Sequence, residues 1–193
     1  MELFGDFVYE ERTDVYKFVV KRVINWKLAS GVLRVVGNHI EDKTDSDVEA
    51  ICFNNLNISS FPTGIENFFP NLKALTINSC GLEGITKFDL MGLKNLQQLT
   101  MNGNLIKTLP NNLFENTLAL EIISFYGNQI EFIGPNIFDS LANLKYVNLK
   151  MNVNIDACHK TYGCGTTLSD LNKMIKENCQ PQIHPVDFET FLE

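Results

Sequence analysis

The sequence has no uncharged apolar run of about eighteen residues, which excludes a membrane-spanning helix. It has no surplus of positive charge either: 16 basic residues stand against 23 acidic ones, a net charge of −7 over 193 residues. A nucleic-acid binder needs a basic face to neutralise phosphates and release counterions, so that partner class is excluded. The same balance gives no attraction to anionic membrane surfaces, and no membrane insertion is expected. Enzyme signatures are missing: there is no G-x-S-x-G, no G-x-x-x-x-G-K-[ST], no H-E-x-x-H and no glycine-rich dinucleotide fingerprint. The three histidines, His39, His159 and His184, have no evident Cys or Ser partner at a rigid position, and His39 is read as serving a turn. No catalytic residue, metal or cofactor is expected. The opening Met1-Glu2-Leu3-Phe4-Gly5-Asp6 holds neither a basic leader nor an apolar stretch of about 7–15 residues. A cytosolic protein and one whose leader has been removed are the two alternatives this leaves.

What the sequence does have is enough apolar content, 45%, for a packed core, and a repeat. The pattern L-x-x-L-x-L-x-x-N-x-L recurs every 24 residues. Its first column is Val48, Leu72, Leu96, Leu120, Leu144; its second is Ile51, Leu75, Leu99, Ile123, Val147; its third is Phe53, Ile77, Met101, Phe125, Leu149. The next column, which favours Asn or Cys, holds Leu56, Cys80, Asn104, Asn128 and Asn152. It is followed by Ile58, Leu82, Ile106 and Ile130, and the fifth repeat breaks there at Asn154. One such turn cannot bury its own apolar side, whereas stacked neighbours bury a continuous core. Each L-x-L segment is expected to give a short strand, and the strands to align as a parallel sheet. The Asn column is expected inside, bonding backbone groups that the turns leave unpaired. Leu56 and Cys80 cannot do this fully, so those two turns should be stitched differently.

A stack of repeats exposes an apolar cross-section at each end, and the segments that do not fit the repeat are read as caps. Residues 1–47 form the N-terminal one, with strands expected at Val15–Lys21 and Val32–Val36, paired with each other. Residues 153–180 form the C-terminal one. In it Leu168, Leu171, Met174 and Ile175 fall at helical spacing, with Thr166 or Thr167 available as N-cap. Residues 181–193 are read as a surface tail, with Asp187-Phe188-Glu189-Thr190-Phe191-Leu192-Glu193 as an alternative docking peptide.

Over residues 48–152 these columns resemble the leucine-rich repeat family. The hinge Gly37-Asn38-His39-Ile40 with Lys43-Thr44-Asp45-Ser46-Asp47-Val48, together with Phe69-Pro70-Asn71-Leu72 and Leu109-Pro110-Asn111-Asn112-Leu113-Phe114, resembles short secreted insect members. Mosquito leucine-rich immune proteins and Toll-like receptor ectodomains are more distant on the same pattern. The resemblance implies an α/β repeat fold: a short curved solenoid with a parallel concave β-sheet, a β-rich N-terminal cap and a helical C-terminal cap. It further implies a non-enzymatic protein-recognition module, extracellular and of the innate-immune kind. An intracellular scaffold or regulatory subunit is the alternative, supported by an N-terminal cap without cysteine. A Cys158–Cys179 disulfide would resemble the cysteine-bearing C-terminal caps of extracellular members, leaving Cys164 free or interchain. Zinc is the competing use of Cys158, His159, Cys164 and Cys179, but their spacings match no common finger. The sequon Asn57-Ile58-Ser59 falls where Asn57 should point outward, a suitable glycosylation site.

In this architecture the variable strand residues project from the concave face. The face is small and polar through the first three repeats and becomes larger toward the C-terminal end, where Ile122, Tyr126, Tyr146 and Met151 are expected close together. Exposed aromatics with polar surroundings are the usual composition of an interface centre. The expected partner site is therefore Gln98, Thr100, Asn102, Ile122, Ser124, Tyr126, Tyr146, Asn148 and Lys150, with the two tyrosines as anchors and a protein as partner. The competing reading packs the tyrosines against the C-terminal cap.

Overall fold

The structure, a computed structural model, describes residues 1–24, 31–161 and 166–180. Cys164, His184 and the tail 181–193 lie outside the described residues.

Alternating side chains decide the strands. In β1 (Glu2–Glu10) and β2 (Val15–Ile24), Leu3, Phe7, Tyr16, Phe18 and Val20 turn inward, and the two strands form an antiparallel hairpin. β3 (Arg34–Val36) lies parallel to β1, not beside β2. The cap therefore differs from the expected two-strand pair: the first ten residues supply an additional strand that separates the other two. The free side of β2 instead takes β4 (Ala50–Asn54) in parallel register, Phe18 beside Ile51 and Val20 beside Phe53. The N-terminal segment thus continues the same sheet as the repeats.

From β4 onward each turn of the coil adds one parallel strand: β5 (Ala74–Asn78), β6 (Gln98–Thr100), β8 (Ile122–Ser124) and β10 (Tyr146–Asn148). The short β7 (Thr108–Leu109) and β9 (Phe132–Ile133) pair separately as a small second sheet. β11 (Cys158–Lys160) runs antiparallel to β10 and ends the large sheet, whose nine strands follow the order β11-β10-β8-β6-β5-β4-β2-β1-β3. The helix α1 (Leu168–Asn178) is capped by Thr167, whose hydroxyl accepts from the Asp170 N–H at 3.0 Å. Leu171 and Ile175 bury its apolar face.

All fifteen residues of the first three apolar columns are buried. Behind the strands the asparagine column stitches successive turns. Asn104 Oδ1 accepts from the N–H groups of Cys80 (3.0 Å) and Leu82 (3.2 Å). Asn128 Oδ1 accepts from Ile106 N–H (3.3 Å), and Asn152 Oδ1 from Ile130 N–H (3.1 Å). Each of the three amide groups also donates to a carbonyl of the preceding turn: Ile77, Met101 and Phe125. Cys80 cannot make the equivalent bond, and there the Ile58 N–H donates to the Cys80 backbone carbonyl at 2.9 Å instead. In the fifth repeat Asn154 is exposed and Ile155 enters the core.

At the N-terminal end the core closes on a ring cluster. Phe7 packs on Phe18 (centroids 4.6 Å apart) and on His39 (3.8 Å), and Phe18 on Phe69 (5.6 Å). The Tyr16 hydroxyl accepts from Ile40 N–H and meets His39 Nδ1 at 2.9 Å, while His39 Nε2 meets Asp45 at 3.0 Å. His39 does serve the turn: it holds the chain that enters the first repeat.

Candidate functional site: the concave face

Register sets which side chains stand side by side on the open face of the sheet. One row crosses it as Lys17, Ala50, Ala74, Gln98, Ile122, Tyr146 and Lys160. A second runs Val19, Cys52, Thr76, Thr100, Ser124, Asn148 and Cys158. Neighbouring strands are about 5 Å apart, so each row is a continuous stripe of contact-capable groups.

The expected site residues do not all share one environment. Ile122 and Tyr146 stand side by side, both half-buried, and Tyr126 at the next turn is 43% exposed. Lys150 is exposed, and Met151 beside it is 62% exposed. Gln98 and Thr100 are half-buried and in contact through a long 3.5 Å bond between Nε2 and Oγ1. Ser124 departs from expectation, being only 6% exposed. Its hydroxyl donates to Asn102 Oδ1 at 2.7 Å, and that same oxygen accepts the Tyr126 N–H at 3.0 Å. Asn102 and Ser124 therefore shape the surface from below, fixing the backbone that carries Tyr126. Asn148 does the same for the next turn through Lys150 N–H at 3.1 Å.

Along the starting ends of the strands the face carries a row the sequence reading had not assigned to the site: Glu49, Lys73, Gln97, Glu121 and Lys145. Glu49 pairs with Lys73, and Glu121 with Lys145 at 2.6 Å, leaving Gln97 uncharged between two closed ion pairs. A cleft of about 310 Å³ opens there, lined by Val15, Lys73, Gln97, Gln98 and Ile122 among others. A larger polar hollow of about 510 Å³ lies beyond it under Tyr9, Tyr16, Lys43 and Asn71. It went unseen because β1, which brings Tyr9, was not expected. The one visible signal was the apolar and aromatic content of Leu3, Phe4, Phe7, Val8 and Tyr9, which does not alternate cleanly with polar residues.

The cysteines occupy both sides of the sheet. Cys52 lies in the second row, where burial pushes its thiol up while the Lys17 charge and then the Thr76 hydroxyl partly offset this. Cys158 shares that face beside Asn148. Cys179 lies in the core under the end of α1, its Sγ 3.6 Å from the Asn154 carbonyl, and burial pushes its thiol up to about 11. Cys158 and Cys179 are both free thiols, and the expected bridge between them is not formed. The reason is alternation: β11 turns its His159 side chain inward, so Cys158 faces outward while Cys179 sits behind the sheet. His159 Nδ1 meets the Thr166 carbonyl at 2.9 Å. Among the described residues no group of three or more His, Cys, Asp or Glu converges to hold a metal ion. Asn57 is exposed.

No protein-family model matches the chain. Among curated proteins, it is 32% identical over 100 residues to mouse Toll-like receptor 9, covering 52% of this chain and 10% of the receptor. It is 27% identical over 106 residues to rat leucine-rich repeat-containing G-protein coupled receptor 5, covering 55% of this chain and 12% of that protein. The chain is similar to leucine-rich repeat proteins over about half of its length. Among solved structures its fold is similar to a chain of the Toll–Spatzle complex, described as a molecular hub in Drosophila development and innate immunity. The match has a TM-score of 0.50 and 23% identity, over 63% of this chain and 17% of that one, and is a likeness of fold. The chain spans about a tenth of the length of the curated relatives it matches. No helix among the described residues is long and apolar enough to cross a membrane.

Proposed function

We propose that this chain is a leucine-rich repeat protein, a non-enzymatic recognition module that takes a protein partner on its concave face, outside the cell and in innate immunity. Residues 48–152 supply the five repeats, and residues 1–47 and 153–180 the caps. The observation that carries the reading is the apolar and aromatic surface left open at one end of the sheet, where Tyr126 and Met151 stand exposed beside half-buried Ile122 and Tyr146. Surfaces of this composition, ringed by polar groups, are where binding energy concentrates. Gln98, Thr100, Asn148 and Lys150 supply that surround. The extracellular and immune setting is supported by the receptor relatives and by exposure of the Asn57 sequon. Fold alone does not select a ligand, and the site has to be tested as a site.

The test is quantitative co-purification of the tagged protein from its natural source, wild type against the double variant Tyr126→Ala, Tyr146→Ala. A partner held by the wild type should be lost from a variant that melts as the wild type does. A partner retained by the folded variant sinks the concave-face assignment. The intact mass of the same material reads the setting: a glycan on Asn57 supports the extracellular reading, and a bare Asn57 turns the search to the intracellular scaffold.

A further inference from the structure

The open patch at the C-terminal end of the concave face is bracketed by two lysines, Lys150 and Lys160, neither of which has an ion-pair partner among the described residues. Both are exposed. Lys160 stands beside Tyr146 in the antiparallel register of β10 and β11. Lys150 lies four residues along the chain from Tyr146, about 13 Å at the rise of a strand. The neighbouring cation, Lys145, is already neutralised by Glu121. The nearby acid, Asp156, has an oxygen committed to the Met151 N–H at 2.8 Å. On a chain of net charge −7, this end of the face therefore offers two uncompensated positive charges with apolar groups between them.

Met151 supplies an independent observation. At the equivalent position of each turn, just past the strand, the backbone is left-handed: Asn55 (φ 55°), Ser79 (53°), Gly103 (66°), Gly127 (66°) and Met151 (59°). Glycine adopts this conformation without strain and fills it in the two turns before Met151. A large apolar side chain kept there, and held out to solvent, points to a use for that side chain.

We propose that this end of the face binds an extended acidic peptide segment of a partner protein, with carboxylates four residues apart on either side of an aromatic or aliphatic residue. Residues i, i+2 and i+4 of an extended chain share one face, so the acids reach Lys150 and Lys160 while the central side chain packs on Tyr126, Tyr146 and Met151. The proposal rests on the reading of this face as a protein-binding surface.

Random dodecapeptides displayed on phage are panned against the full chain. The recovered peptides should carry Asp or Glu at i and i+4 with an apolar residue between. A synthetic copy should bind about tenfold or more weakly to Lys150→Glu, Lys160→Glu and to Met151→Gly, variants first shown to melt cooperatively. Its affinity should also fall as salt rises. Recovery of basic or uncharged peptides, recovery of none, or equal binding to the charge-reversed variant overturns the proposal. If acidic peptides fail while Tyr126→Ala, Tyr146→Ala still releases the native partner, the acidic segment alone is overturned and the recognition surface stands. A native partner retained by that tyrosine variant overturns the broader reading.

Discussion

The side-chain amide of Asn104 donates to the Ile77 carbonyl at 2.7 Å, one full turn back along the coil, while its oxygen serves two N–H groups of the same turn. Three backbone groups in the interior depend on this one side chain. Replacing Asn104 by Ala strands the Cys80 and Leu82 N–H groups and the Ile77 carbonyl, and the expected loss is about 2–4 kcal/mol, since each unsatisfied buried group costs roughly 1–3 kcal/mol before relaxation. Urea denaturation measures it; a loss under about 1 kcal/mol would show that these turns hold without the side-chain stitch.

Met151→Gly should act in the opposite direction on stability. Relief of left-handed strain, about 1–2 kcal/mol, is offset by glycine's greater chain entropy, about 0.5–1 kcal/mol. The net is a gain of about 0–1.5 kcal/mol. A variant clearly less stable than wild type would mean that the side chain packs into the fold after all.

Burial of Cys179 fixes a pH dependence and its sign. The folded-state thiol titrates at about 11, above its ordinary value of 9.0, because burial penalises the thiolate. A group with a raised folded pKa contributes stability in full below its unfolded pKa. That contribution is lost as pH rises toward the folded value, with a slope of about 1.4 kcal/mol per pH unit at its steepest. Between pH 9 and 11 the wild type should lose more stability than Cys179→Ala does over the same range. Parallel curves for the two proteins contradict this. At pH 8, Cys52 and Cys158 should alkylate well before Cys80 and Cys179, which are buried.

Tyr16→Phe removes the hydroxyl that joins Ile40 N–H to His39 Nδ1. The expected cost is about 1–2 kcal/mol, with the turn before the first repeat loosened. Hydrogen exchange at Ile40 reads this directly, and unchanged protection there argues against the bridge.

Most of the repeat was legible in the sequence because its cause is periodic. Fifteen apolar positions in one phase require a common interior, and Asn104, Asn128 and Asn152 follow from the need to satisfy turns inside it. That the turn at Cys80 needs a different stitch was legible for the same reason, but not which bond supplies it. The N-terminal cap was not, since β1 has a register shift between Phe4 and Gly5 and does not alternate cleanly. Which side chains share the concave face was legible in outline. Ser124 was misplaced because exposure on a strand depends on the neighbour, and the Asn102 side chain lies against it and accepts its hydroxyl hydrogen bond. The cysteine pair was misjudged for want of the β11 strand, whose phase puts Cys158 on the far side of the sheet from Cys179.

Joining β2 to β4 gives the molecule a direction in time as well as in space. The β1–β2 hairpin closes through the four residues Glu11 to Asp14, whereas each of the repeat strands β5, β6, β8 and β10 meets its predecessor across 24 residues. The entropic cost of closure grows with the length of chain enclosed, so the hairpin can form before anything else and offer a finished edge. Each turn then needs only the one before it. Growth from that edge adds one strand per turn, β4, β5, β6, β8 and β10 in order, toward β11 and α1.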